Sequence, residues 1–292
     1  MIPAAATRIE RIVLGTVQLG LAYGRHAAGA APDRQRCFDV LDAAWARGIR
    51  SFDTAEAYGD AAGRLSEWIK SRGVAGSCHV VTKVLAVEAR DSSAVSRAVA
   101  RFPDVATCTV MTHGAMEAAA FSVIRQAAER VGALPGASVY EAREVVAMAT
   151  AGARRIQAPV NIFDTRQRSA AWGCGVPLDG RSVFLQGVLL ERPEEAEARA
   201  PGTGRMADAV QRAASAAGIP PAIALLASAL QELHAHDRVV VGVDQPEELE
   251  AIVSAVAVDA DALSGFLRAW AEAVGSWRPD DRSLDPRTWR SA

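Results

Sequence analysis

A chain of 292 residues in which eight short β-rich runs alternate with alanine-rich helical stretches predicts an α/β protein of the (β/α)8 TIM barrel class, one domain over 1–292. Three observations carry that expectation. The first six runs begin roughly 20 to 40 residues apart, the length of one strand–helix unit. No G-x-G-x-x-G follows the first run, where the only glycines are Gly15 and Gly20, which argues against a doubly wound open sheet. Ionisable residues end three successive runs, where a barrel of this class places its chemistry.

Taken in order, the runs are Arg11–Leu14, Arg50–Asp53, His79–Val84, Thr107–His113, Leu134–Val139, Arg155–Val160, Arg181–Leu185 and Arg238–Val243. Each is short and rich in β-branched or apolar residues, as a strand buried on both faces must be. Between the first and second, Asp33 to Arg47 puts Phe38, Leu41, Ala44 and Trp45 on one stripe at helical spacing. Ala115 to Arg130 and Glu141 to Ala151 follow the same pattern around the fifth run. After the seventh comes an insertion, Glu191 to Gly204, with acidic residues, arginines, Pro193, Pro201 and Gly202. Its length predicts a lid loop at 190–205 over the barrel top. A helical tail is expected over 259–292.

Composition excludes several function classes. A formal net charge of −2 leaves no footprint for nucleic acid or anionic lipid. No run reaches the ~20 apolar residues of a membrane span, and Met1 to Glu10 carries no signal-peptide pattern. The four cysteines form no C-x-x-C pair, so they read as free thiols in a reducing cytoplasm rather than as a disulfide framework or a metal site. The predicted exposed helix faces carry no apolar stripe that would fix an oligomeric state.

Of the 32 lysines and arginines only Lys70 and Lys83 are lysines, and Lys83 sits inside the apolar run His79–Val84. A lysine there is costly unless its charge is paired or used. Asp53, Lys83 and His113 come at the ends of runs two, three and four, with Tyr58, one of three tyrosines, just past Asp53. Singly, each has a structural explanation: a helix cap, a stem snorkelling at a strand end, a core histidine, a half-buried surface phenol. Together they form a proton-transfer device. A phenol is a poor proton donor near neutral pH, and an ammonium beside it favours the phenolate. An aspartate offsets the cost of burying the ammonium. A histidine can hydrogen-bond a carbonyl oxygen and hold it near the phenol. Such a device protonates an alkoxide as it forms and needs an external hydride donor.

Here the sequence resembles the aldo-keto reductases, from Leu14-Gly15-Thr16 to the Gly242 region. Gly48-Ile49-Arg50-Ser51-Phe52-Asp53-Thr54-Ala55-Glu56-Ala57-Tyr58-Gly59 is similar to the family's second-strand signature, Lys83 follows in a Thr-Lys-Val context, and His113 ends the fourth strand. The resemblance implies a (β/α)8 enzyme moving a hydride between NAD(P)H and an aldehyde, ketone or sugar, with Tyr58 as general acid/base, Asp53 and Lys83 tuning it, and His113 orienting the carbonyl. It also implies cofactor contacts from Gly15 and Thr16, from Ser138 in Gly-Ala-Ser-Val-Tyr and from Gln157. Further contacts come from Arg181, Ser182, Phe184, Gln186 and Gly187 along the pyrophosphate, and from Gly242, Gln245 and Glu248 at the adenosine end. Val139 stands where the family usually has asparagine, and Arg181 where it often has an aromatic ring.

NADPH is the family's habit, but Asp244, Glu247 and Glu248 follow Gly242 where many members carry a cation for the 2′-phosphate. Those residues argue for NADH unless Arg192 or Arg205 from the lid supplies the charge. Tyr23, His26, Phe163 and Trp172 are substrate-pocket candidates by position, facing a small-molecule carbonyl or sugar. Two other classes remain open: a Schiff-base barrel aldolase or lyase using Lys83, and a cofactor-binding regulatory protein with little turnover.

Overall fold

The computed structural model of the chain describes residues 8–22, 32–85, 92–114, 116–234 and 236–289. Eight parallel strands close into a barrel in chain order: β1 (Ile12–Gly15), β2 (Ser51–Asp53), β3 (His79–Leu85), β4 (Thr107–His113), β5 (Leu134–Ser138), β6 (Arg155–Pro159), β7 (Leu178–Arg181) and β8 (Arg238–Gly242), with β8 paired back to β1. This is the (β/α)8 architecture the alternating runs predict. Successive parallel strands need a crossover, and the connecting segments supply helices. Among them are α1 (Arg34–Ala46), α2 (Ala61–Arg72), α3 (Ser92–Ala100), α4 (Ala118–Arg130), α5 (Ala142–Thr150) and α6 (Arg166–Gly173).

The helices start where side chains can satisfy their first N–H groups. The Asp33 carboxylate accepts from the Arg36 amide ahead of α1, and Glu141 and Glu144 form a capping box at α5. The predicted stripe of α1 buries Phe38, Leu41 and Ala44, while Trp45 packs edge-on against Trp68 of α2. Phe52 of β2 leans on the same tryptophan, so strand and helices share one apolar layer.

The seventh strand lies earlier than expected. The apolar run to Leu185 cannot be a strand, because Ser182, Leu185, Gln186 and Gly187 all have positive φ and fold into a tight turn. The strand itself is Leu178-Asp179-Gly180-Arg181, and only Arg181 was in the expected one. Asp179 hid it. That carboxylate is fully buried yet accepts from Arg155 and from both arms of Arg238 at 2.8 Å, so a charged residue occupies a core strand position.

The segment 190–205 is not a loop. It forms helix α7 (Pro193–Arg199) and the start of α8 (Thr203–Ala217), joined where Glu197 accepts from the Gly202 and Gly204 amides. Helix α9 (Pro221–Gln231) and α10 (Leu249–Val256) flank β8. The expected tail is helical over α11 (Ala260–Val274) and α12 (Asp281–Leu284). It is pinned to the barrel by Arg166–Asp281 at 2.7 Å and by the Ser283 hydroxyl donating to the Pro201 carbonyl. No single helix among the described residues is long and apolar enough to cross a membrane.

Candidate active site

Strand register brings the four ionisable residues to one rim. Asp53 and His113 are the last residues of β2 and β4, and Lys83 lies two before the end of β3. The Lys83 ammonium, with no side-chain exposure, donates to both Asp53 oxygens at 2.6 and 2.5 Å, to the Tyr58 hydroxyl at 3.3 Å and to the Thr54 carbonyl at 3.4 Å. Burial alone would push its pKa down; Asp53 and then Tyr58 outweigh burial and hold it above the ordinary lysine value. It is therefore a fixed cation, which disfavours the Schiff-base alternative, where a neutral amine must attack.

Tyr58 is delivered by the loop after β2. The Glu56 amide donates to the Lys83 carbonyl and the Tyr58 carbonyl accepts from Ala61, fixing both sides of the phenol. Gly20 presses on this loop: a Cβ there would lie 1.9 Å from the Tyr58 carbonyl oxygen. The His113 ring stands perpendicular to Tyr58, centroids 5.8 Å apart, and its buried Nδ1 has no partner. Burial, Lys83 and Arg181 push its pKa down, so the imidazole is neutral at pH 7.

A cavity of about 620 Å3 opens from this group, within the range of small-molecule sites. Of the expected contacts, Gly15, Ser138, Gln157, Arg181, Ser182, Phe184, Gln186, Gly187, Gly242 and Glu248 line it together with Asp53, Tyr58 and His113. Ser138 donates to the Gln157 carbonyl oxygen at 3.3 Å, and the Gln157 amide donates to Asp53 at 2.7 Å. One hydrogen-bonded chain thus runs Ser138–Gln157–Asp53–Lys83–Tyr58.

Two expected contacts are absent from the cavity wall. Thr16 is buried with its hydroxyl on the Asp53 carbonyl, tying β1 to β2, and Gln245 caps the turn before Glu248. The expected substrate residues also fall elsewhere. Phe163 packs against Trp270 and Trp277, and Trp172 stacks on His234 at 3.8 Å while donating to Asp237. Both are bulky rings that found apolar or stacked partners away from the cavity. Tyr23 and His26 lie outside the described residues. Nor do Arg192 and Arg205 line the cavity: Arg192 pairs with Glu195, and Arg205 sits over Trp277 at 4.4 Å.

Sequence reading missed Gln18 and Tyr140. Gln18 lies against Gly242, where a Cβ would meet its amide, and its buried Oε1 has no partner. Tyr140 follows Ser138 by two positions at the β5 exit, a spacing that could have flagged it. The Glu144 carboxylate accepts from its backbone amide at 2.9 Å, so the α5 cap also fixes the backbone that carries the ring. The far wall is apolar, through Ala222, Leu226, Ala251 and Ile252.

The family model described as "Aldo/keto reductase family" matches residues 11–106, which carry Asp53, Tyr58 and Lys83. Over residues 11–106 the chain is thus similar to the aldo/keto reductase family. Solved structures share the barrel fold over most of the chain. A glycerol dehydrogenase from Gluconobacter oxydans superposes with a TM-score of 0.71 at 16% identity, covering 93% of this chain and 94% of that one. An aldo/keto reductase from Klebsiella pneumoniae in complex with NADP and acetate gives 0.67 at 19%, covering 94% of each chain. A Klebsiella pneumoniae aldo-keto reductase in complex with NADPH gives 0.64 at 20%, again over 94% of each. No curated protein matches the sequence.

Proposed function

We propose that the protein is an NAD(P)H-dependent oxidoreductase that moves a hydride between nicotinamide and the carbonyl carbon of an aldehyde, ketone or sugar. The observation that carries this reading is the buried Lys83 ammonium, bonded at once to Asp53 and to the Tyr58 hydroxyl. The cavity fits the cofactor: Gln18 and Ser138 line it, and the orphaned acceptor of Gln18 and the hydroxyl of Ser138 offer polar contacts. When bound, the nicotinamide supplies the hydride.

The protein's residues supply the rest. Neutral His113 and the Tyr58 hydroxyl hold the carbonyl oxygen. As the carbonyl π pair moves onto that oxygen, Tyr58 passes it a proton, and Lys83 stabilises the phenolate left behind. Asp53 keeps Lys83 charged and directed, and Gln157 in turn orients Asp53. NADPH is the proposed cofactor, as in the Klebsiella complexes. Arg36, which donates to the Asp244 carbonyl at 3.3 Å, provides a cation at the adenosine end. Free thiols at Cys37, Cys78, Cys108 and Cys174 support a cytoplasmic location.

Consumption of NADPH with a panel of aldehydes, ketones and sugars, compared between the natural protein and Tyr58→Phe, tests the reading. Tyr58→Phe should lower turnover by about 10²- to 10⁴-fold, the usual worth of a positioned acid/base group. Full activity in that variant contradicts the mechanism.

A further inference from the structure

At the Tyr58 end of the cavity the charges do not cancel. Asp53 and Lys83 neutralise each other, and His113 is neutral. Arg181, the last residue of β7, lines the same wall and makes no ion pair with a described carboxylate. Its guanidinium lies 4.2 Å from the centre of the Tyr140 ring and donates to the Val139 carbonyl at 3.1 Å and the Ser182 hydroxyl at 3.3 Å. The neighbouring Asp285 is engaged by Arg287, which also packs on Tyr140 at 3.9 Å. Arg181 is thus a half-buried cation held in place by groups that carry no charge, and the Asp285 carboxylate whose field it shares is engaged first by Arg287.

We propose that Arg181 sets the preference of the site between the two oxidation states of the nicotinamide, favouring the reduced form over the oxidised one. This rests on the cofactor reading above. A hydride can reach a carbonyl held by Tyr58 and His113 only from a ring at this end of the cavity, among Ser138, Gln157, Arg181 and Ser182. The reduced ring is neutral. Once the hydride and its electron pair have moved to the carbonyl carbon, and the Tyr58 proton to the oxygen, the ring is a cation. An aromatic side chain at this position would attract that cation; a guanidinium repels it. The oxidised cofactor is accordingly held more weakly and leaves faster after carbonyl reduction.

Fluorescence titration with NADPH and with NADP⁺, following the six tryptophans, measures both affinities without a substrate. The natural protein should bind NADPH more tightly than NADP⁺. In Arg181→Gln the ratio of the two dissociation constants should shrink by about tenfold, the scale of one partly screened charge pair. Arg181→Lys, which keeps the charge, should retain most of the ratio. Arg181→Met, which keeps an apolar stem against Tyr140, reads the same quantity if Arg181→Gln folds poorly. An unchanged ratio in the uncharged variants, with both cofactor forms still bound, overturns the role of Arg181 alone. Failure of the folded natural protein to bind either form overturns the cofactor reading and this inference with it.

Discussion

Lys83 shows why a single residue type in an unusual place is informative. Its cost of burial is offset only because Asp53 lies within 2.6 Å and Gln157 and Thr54 complete the hydrogen bonding. Lys83→Met leaves the Asp53 carboxylate buried without its partner and should destabilise the fold by about 3–5 kcal/mol in denaturant unfolding, besides abolishing turnover. His113 makes a second prediction. Its pKa is depressed in the folded protein, whereas the unfolded chain takes up the proton near pH 6.5. As pH falls below about 6.5 the unfolded state therefore gains protons first, and stability is lost until the folded pKa is passed. His79, lowered by burial and Arg238, acts in the same direction. Melting temperatures measured between pH 8 and pH 5 should fall for the natural protein and fall less for His113→Asn.

At the scale of elements, the loop after β2 is held from outside the strand that bears it. Gly20, at the end of the turn after β1, touches the Tyr58 carbonyl and the start of α2 so closely that any Cβ collides with backbone. Gly20→Ala should lower the melting temperature by several degrees and reduce turnover more than cofactor affinity, because it displaces Tyr58; unchanged kinetics would mean the loop adapts freely. Elements also divide what sequence alone could tell. The strands bearing Asp53, Lys83 and His113 were legible because apolar runs ended in charged residues at regular spacing. The seventh was not, since its buried Asp179 is compensated by Arg155 and Arg238 from β6 and β8, partners visible only once the barrel closes. Phe163 and Trp172 lie away from the cavity for a related reason: position after a strand does not say which way a ring points, and tertiary partners decided it.

For the whole molecule, closing eight strands in chain order turns scattered residues into one hydrogen-bonded chain from Ser138 to Tyr58 at the mouth of a single cavity. The C-terminal tail joins it from outside the barrel, where Arg287 and Arg181 both pack on Tyr140. On the proposed reading, that assembled chain is a proton donor and an electrostatic frame for hydride transfer from a bound nicotinamide. Its most direct test is a tryptophan-fluorescence titration of the folded protein and of Tyr58→Phe with NADPH and NADH. Saturable binding of NADPH, tighter than that of NADH and nearly the same in both proteins, is the expected result. Absence of binding by either nucleotide to the folded protein would contradict the account.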